Sequence, residues 1–383
     1  METWGYFFLL ILIILAKNLN RKYTLTILRK PLTMIKSLLK KLFIALLIII
    51  AIIVLYVVVT VIVNRSSQST DTIYPEIVGI PSSAIEDDSL QILSWNIGYA
   101  GMGKGSDFLF DNGTSLRPPS KMAVQENLEG ITRFLQENNS DVMMLQEIPY
   151  GSFTNYNTHV YPVLSNEFDE YQWTYSNDLY TKLLPSFIGL RIGNSTASRI
   201  PLVSSEAIAL TREPGYFLYV FKKDYRMHIT RFLHSGVNWS IINIHLSAFD
   251  DDTVSIRETQ LKEIIELAKS ERAKGQHVIV GGDWNLELVE TDFGPYTTSE
   301  EDQFWIRPLP DFAQVKGWSW IADNRTPSVR TAEKPYVEGE NYTLVIDGFF
   351  VSDNVKVLDV TTHDLQFGPT DHHPVMLKVE PQA

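Results

Sequence analysis

The sequence predicts an α/β fold: one large domain of about 290 residues carried behind a membrane-spanning helix. Three observations predict it. Leu42–Val63 is a run of 22 residues without a charged side chain. From residue 90 onward, short β-prone runs alternate with segments whose apolar residues recur at helical spacing. Several of those apolar runs end on Asp, Glu, Asn or His, side chains that bind metal ions and move protons.

Taken in order, the N-terminal part comes first. At ~1.5 Å per residue, a helix over Leu42–Val63 reaches ~33 Å, enough for the ~30 Å hydrocarbon layer. Its polar Thr60 can bond to the preceding turn. A shorter apolar run, Trp4–Ala16, precedes a basic stretch containing Lys17, Arg21, Lys22, Arg29, Lys30, Lys36, Lys40 and Lys41 and no acidic residue. Basic loops stay on the cytoplasmic side, so residues 66–383 are expected outside, whether the protein is single-pass or two-pass. The residues before Asn64 lack the small-x-small pattern of a cleaved signal peptide. The expected organisation is a short apolar run and basic segment (1–41), a transmembrane helix (42–63), a linker (64–89) and a domain (90–380).

Charge divides the same way. The chain has 33 basic and 45 acidic side chains, net −12; removing the nine basic residues up to Arg65 and Glu2 leaves 24 and 44, net −20. So acidic a domain does not suit a nonspecific nucleic-acid sleeve. With no Cys, thiol nucleophiles, disulfides, iron–sulfur clusters and cysteine zinc sites are excluded.

Within the domain, Leu90–Trp95 reads as a strand. Ser120 after two prolines is a helix N-cap, with Val124, Leu128, Ile131 and Leu135 on one face. Asp141–Leu145 and Trp239–Leu246 are strands. Val254–Ala273 is a helix with Leu261, Ile264, Ile265 and Ala268 on its apolar face, closed by Gly275. His277–Val280, Thr343–Ile346 and Val375–Val379 are the remaining strands.

The polar ends of these runs carry the chemistry: ILSWNIGY (Ile92–Tyr99), MMLQEIP (Met143–Pro149), INIHLSAFD (Ile242–Asp250), VIVGGDWN (Val278–Asn285), LVIDGFFVS (Leu344–Ser352) and TDHHPV (Thr370–Val375). A sheet commonly presents its site where strands end. This ordered set, from about Leu90 to Lys378, resembles the endonuclease/exonuclease/phosphatase superfamily. The resemblance implies a deoxyribonuclease I-like, four-layer αββα sandwich and a divalent-cation phosphoesterase site. It further implies that Asn96, Glu147 and Asp371 lie at the metal site and that Asp283 and Asn285 bind phosphate or position water. By the same match, Asp347 orients the catalytic His372, and His245 is the second histidine. Gly98 departs from the pattern of abasic-site endonucleases, which place an aspartate there.

The residues themselves agree. Glu147 is a hard oxygen donor suited to Mg²⁺, with Mn²⁺ or Ca²⁺ as alternatives. His372 can exchange a proton near neutral pH if a carboxylate such as Asp347 holds its tautomer. Each also has a plainer reading: a turn for Asn96, Asp283, Asn285 and Asp347, a capping acid for Glu147, a salt-linked loop for Asp371–His372, a core histidine for His245. His373 is read as packing. Arg117, Arg191, Arg199 and Arg330 are candidate phosphate contacts or ordinary solvated arginines. The aromatic stretch from Phe304 to Trp320 is read chiefly as loop packing, with lipid contact and base stacking as alternatives. The expected protein is a membrane-anchored, Mg²⁺-dependent phosphoesterase, with a phosphodiester substrate preferred. Nuclease, phospholipase C or sphingomyelinase-like enzyme, phosphomonoesterase and inactive surface-binding protein are the alternatives. Its expected partners are a phosphate ester and, through the anchor, the lipid bilayer; no protein partner is evident.

Overall fold

Two parallel strand pairs organise the molecule, each joined by a helical crossover. The computed structural model describes residues 21–66, 72–81, 87–185, 187–212, 223–248, 255–290 and 306–382, with positions 14 and 220. The chain divides into two units, 1–62 and 63–383. In the first, helix α1 (Arg21–Ser66) contains the stretch Met34–Arg65, long and apolar enough to cross a membrane. Apart from Ile14, the run Trp4–Ala16 lies outside the described residues.

The second unit begins its regular structure with β1 (Leu90–Asn96), which pairs in parallel with β2 (Val142–Ser152). The crossover between them is α2 (Lys121–Asn138), whose first turn is capped by the Ser120 hydroxyl accepting from Ala123 N. Parallel neighbours need such a connection. After α3 (Val160–Glu167), β3 (Gln172–Tyr180) and β4 (Leu190–Ser198) complete one side of this sheet. The sheet's order is β13-β14-β1-β2-β4-β3, with β13 (Val355–Thr362) and β14 (Val375–Pro381) supplied from the far end of the domain.

The second sheet repeats the device. Strands β5 (Leu202–Ala209), β6 (Arg226–His234) and β7 (Val237–His245) form an antiparallel meander. Helix α4 (Ile256–Ala273), capped by Ser255, then crosses to β8 (His277–Asp283), parallel to β7. Strands β9 (Trp318–Ile321) and β12 (Asp347–Ser352) close the order β5-β6-β7-β8-β12-β9, while β10 (Val329–Arg330) and β11 (Thr343–Leu344) make a separate short ribbon.

Three apolar clusters explain the layering. Helices α2 and α3 cover the first sheet through Trp95, Ile131, Leu145 and Leu164. Helix α4 covers the second through Leu261, Ile264, Val280 and Phe350. Between the sheets lie Ile92, Met144, Trp239, Ile279, Phe349 and Leu377. The fold is therefore the four-layer αββα sandwich. Trp318 and Trp320 pack on Phe350, which fits the loop-packing reading of that aromatic stretch; Phe304 and Trp305 lie outside the described residues.

Candidate active site at the strand ends

Both parallel pairs end at the same place. Asn96 closes β1 and is in register with Gln146 on β2. One residue later the β2–β4 ladder shifts register, and Glu147 takes a left-handed φ of 53°. Such a bulge re-aims a side chain. In the second sheet His245 is in register with Asp283, and Asp283 with Asp347 across β12. Gly282 allows that approach: a Cβ there would sit 1.9 Å from the Ile244 carbonyl oxygen.

His372 is the centre of the resulting network. Its Nδ1 lies 2.8 Å from Asp347 Oδ2, and its Nε2 lies 3.7 Å from Asp283 Oδ2. Asn96 Nδ2 donates to Asp283 Oδ2 at 3.0 Å, while Asn96 Oδ1 accepts from Gly98 N. His245 Nε2 stands 3.6 Å from the same Asp283 oxygen. Asn285, also left-handed, donates its backbone N–H to Asp283 Oδ1 and its side-chain amide to Leu246 O. Ser328 Oγ accepts from the backbone of Ile346 and Asp347 and so steadies the carboxylate's attachment.

The two histidines are electrostatically unlike. Burial opposes charge on His372, but Asp347 and Asp283 overcome it and raise its pKa to about 10. Burial lowers His245 well below its usual value, and the nearby Lys223 and His372 add to that. Burial also pushes Asp283 up to about 7; His372 restrains the rise and Asp347 adds to it. Asp283, Asp347 and His372 come close enough to surround an ion. A metal ligand is neutral imidazole, so an ion held here would displace the proton that the two carboxylates favour on His372.

Further carboxylates, Asp111, Glu147 and Asp371, line the same cavity. Burial, together with Glu147 and Asp371, raises the Tyr99 hydroxyl well above its usual value. Asp111 is pushed up to about 6 by burial and by Asp371. Burial raises Asp371 as well, with Glu147 adding to the rise. Crowded buried carboxylates suit a hard divalent cation, which relieves their repulsion. Lys223 Nζ sits 3.4 Å from Glu147 Oε1. The buried Asp178 faces the same cavity. Asp111, Asp178 and Lys223 were not expected from sequence: none ends an apolar strand, so no local pattern marks them.

The four arginines sit in different surroundings. Arg199 follows β4 at the Val142 end of β2, the end opposite Glu147, and donates its backbone N–H to Asp141 O. Arg117 stacks on Phe153 and Arg191 on Tyr150, and neither lines the cavity. Arg330 does line it, but its buried guanidinium donates to the carbonyls of Met102, Gly103, Ser106 and Thr331, holding a loop in place. His373 is buried, stacked on Phe367 and bonded to Pro327 O, consistent with packing. The polar groups line a cavity of about 610 Å³, to which Phe108, Leu109, Phe110, Leu116, Ile188, Leu190 and Ile192 also contribute.

Comparison with known proteins gives the family. The profile of the Endonuclease/Exonuclease/phosphatase family matches residues 93–372. Among solved structures, an endonuclease/exonuclease/phosphatase from Beutenbergia cavernae DSM 12333 superposes with TM-score 0.52 at 16% identity, covering 77% of this chain and 72% of its own. The human Nocturnin catalytic domain with bound sulfate anion gives 0.49 at 17%, covering 80% and 97%. D. rerio TDP2 complexed with a single-strand DNA product gives 0.49 at 15%, covering 77% and 100%. A search of the curated proteins returned no match. The chain belongs to the endonuclease/exonuclease/phosphatase family, whose members are phosphoester hydrolases.

Proposed function

We propose that this protein is a membrane-anchored, Mg²⁺-dependent phosphoesterase, with a phosphodiester preferred, whose catalytic domain lies outside the cytoplasm. The observation that carries the chemistry is His372 held between Asp347 at 2.8 Å and Asp283 at 3.7 Å. Glu147, Asn96 and Asp371 would hold the cation. When bound, it neutralises charge on the phosphoryl oxygens.

The chain's own groups do the rest. Asp283, its pKa raised toward neutrality, accepts a proton from water as the water oxygen forms its bond to phosphorus. Asn285 fixes Asp283 through its backbone and has a second amide hydrogen for a phosphate oxygen. His372, cationic at neutral pH, donates to the departing oxygen as the phosphorus–oxygen bond to the leaving group breaks. His245, kept neutral, donates a hydrogen bond at the same centre without adding charge. Anchoring and orientation rest on the apolar Met34–Arg65 stretch and the basic residues before it.

Purified full-length protein should hydrolyse phosphodiesters only with a divalent cation. Glu147→Ala and His372→Ala should each lower kcat/KM by about 10²–10³, with circular dichroism unchanged. Turnover that persists in excess chelator would sink the metal-dependent reading. For topology, protease added to intact cells should digest the catalytic domain; protection until lysis would reverse the orientation.

A further inference from the structure

The cavity is lined by two chemically unlike sets of residues. His372, Asp283, Glu147 and Asp111 are polar, while Phe108, Phe110, Leu116, Ile188, Leu190 and Ile192 are apolar. This apolar wall is built rather than incidental. Phe108 packs on a small buried cluster with Tyr99, Met102 and Ala332, and Arg330 ties the backbone beneath it. Toward the mouth it opens to solvent: Phe110 is 43% exposed, Leu116 41% and Ile188 38%. A contiguous apolar rim leading into a pocket marks a ligand-binding groove.

The occupant can be narrowed by charge. A nucleic-acid strand needs a cationic track for its phosphates and aromatic faces for its bases. Among the described residues lining the cavity, the only Lys or Arg side chains are Lys223 and Arg330. Lys223 sits on Glu147, and Arg330 donates to backbone carbonyls. A sugar phosphate would likewise leave its hydroxyls facing hydrocarbon. A hydrocarbon chain suits the wall, and 610 Å³ is room for a ligand-sized piece of one.

We propose that the substrate is a lipid phosphoester, its hydrocarbon chain lying along Phe110, Leu116 and Ile188 while its phosphate reaches His372. This rests on the phosphoesterase reading above. The two separate cleanly in one experiment on the full-length chain held in amphipol, which avoids a competing detergent. Binding of butyl-, hexyl- and octylphosphonate is measured by titration calorimetry, beside turnover of the short diester methyl p-nitrophenyl phosphate with Mg²⁺, Mn²⁺ or Ca²⁺. Affinity should rise about fourfold per added methylene. Phe110→Asp and Ile188→Asp should flatten that series while Phe110→Leu keeps it, all three with an unchanged unfolding midpoint. A flat series in the unaltered protein, or tighter binding of a single-stranded oligonucleotide than of octylphosphonate, overturns the lipid proposal even if the diester is hydrolysed. A steep series without hydrolysis under any of the three metals upholds the chain-binding cavity and overturns the phosphoesterase reading instead.

Discussion

Gly98 shows how one residue shapes the site. Its φ is +46°, and a Cβ there would come within 2.8 Å of Met102 Cβ and 2.9 Å of Asp371 Oδ1 and Thr370 Oγ1. The departure at this position is thus steric: an aspartate would crowd Asp371 and add a like charge beside it. Gly98→Ala should lower stability by about 1–3 kcal/mol and kcat/KM by at least tenfold, on the order expected for a displaced catalytic group. Denaturant unfolding and steady-state kinetics check the two parts. The motif side chains the sequence pointed to, Asn96, Glu147, Asp283, Asp347 and His372, were legible because each sits at or near the end of an apolar run. Asp111 ends a three-residue 3-10 helix and Lys223 lies outside regular structure, so no period marks either. The arginines were left with two readings because an arginine's use is decided by neighbours the sequence does not reveal: a ring under Arg191, carbonyls around Arg330.

At the level of elements, α4 is tied to the second sheet by Glu271. This buried carboxylate accepts from Arg231 at 2.6 Å, Lys274 at 2.6 Å and Ser240 at 3.1 Å. Burial opposes its ionisation, but those partners prevail and hold its pKa at about 2. A carboxylate lowered on folding stabilises above its unfolded value, and that stability is lost as pH falls toward 2. Glu271→Gln should cost about 2 kcal/mol at pH 7 and lessen the acid sensitivity between pH 4.5 and 2. His228 on β6 acts in the same direction. Burial holds its pKa at about 3, so protonation favours the unfolded chain as pH drops below 6.5. Unfolding free energies across that range measure both. Strands β1, β2, β7, β8 and β14 announce themselves as apolar runs, and α2 and α4 by cap and period. Strand β4 does not, because the side chains it buries are mostly polar: Asn194, Ser195, Thr196 and Ser198 are all buried.

Beside this strand a polar seam joins the two sheets. Gln146 donates to Asn243 Oδ1 at 2.8 Å, and Asn243 donates to the carbonyls of Ser195 and Leu145. Thr174 and Ser205 meet His228 beside it. Gln146 immediately precedes Glu147, so the seam supports the floor of the site. Asn243→Leu strands several buried polar groups at once and should cost about 2–4 kcal/mol. It should also weaken turnover more than a surface control does, measured at a temperature where both remain folded. The four-layer architecture was foreseen through the ordered motifs; the seam was not, since side chains that bond across sheets look like loop residues in a linear chain.

The strand after His372 has a consequence for when the protein can act. Strand β14 lies between β13 and β1 inside the first sheet, with Val379 opposite Leu90. A growing chain that has made β1 and β2 must therefore leave an open edge on β1 until residues near 379 arrive. Contacts so distant in sequence close slowly. His372 becomes seated only with that closure, so a partly synthesised chain carries most of the site yet stays silent.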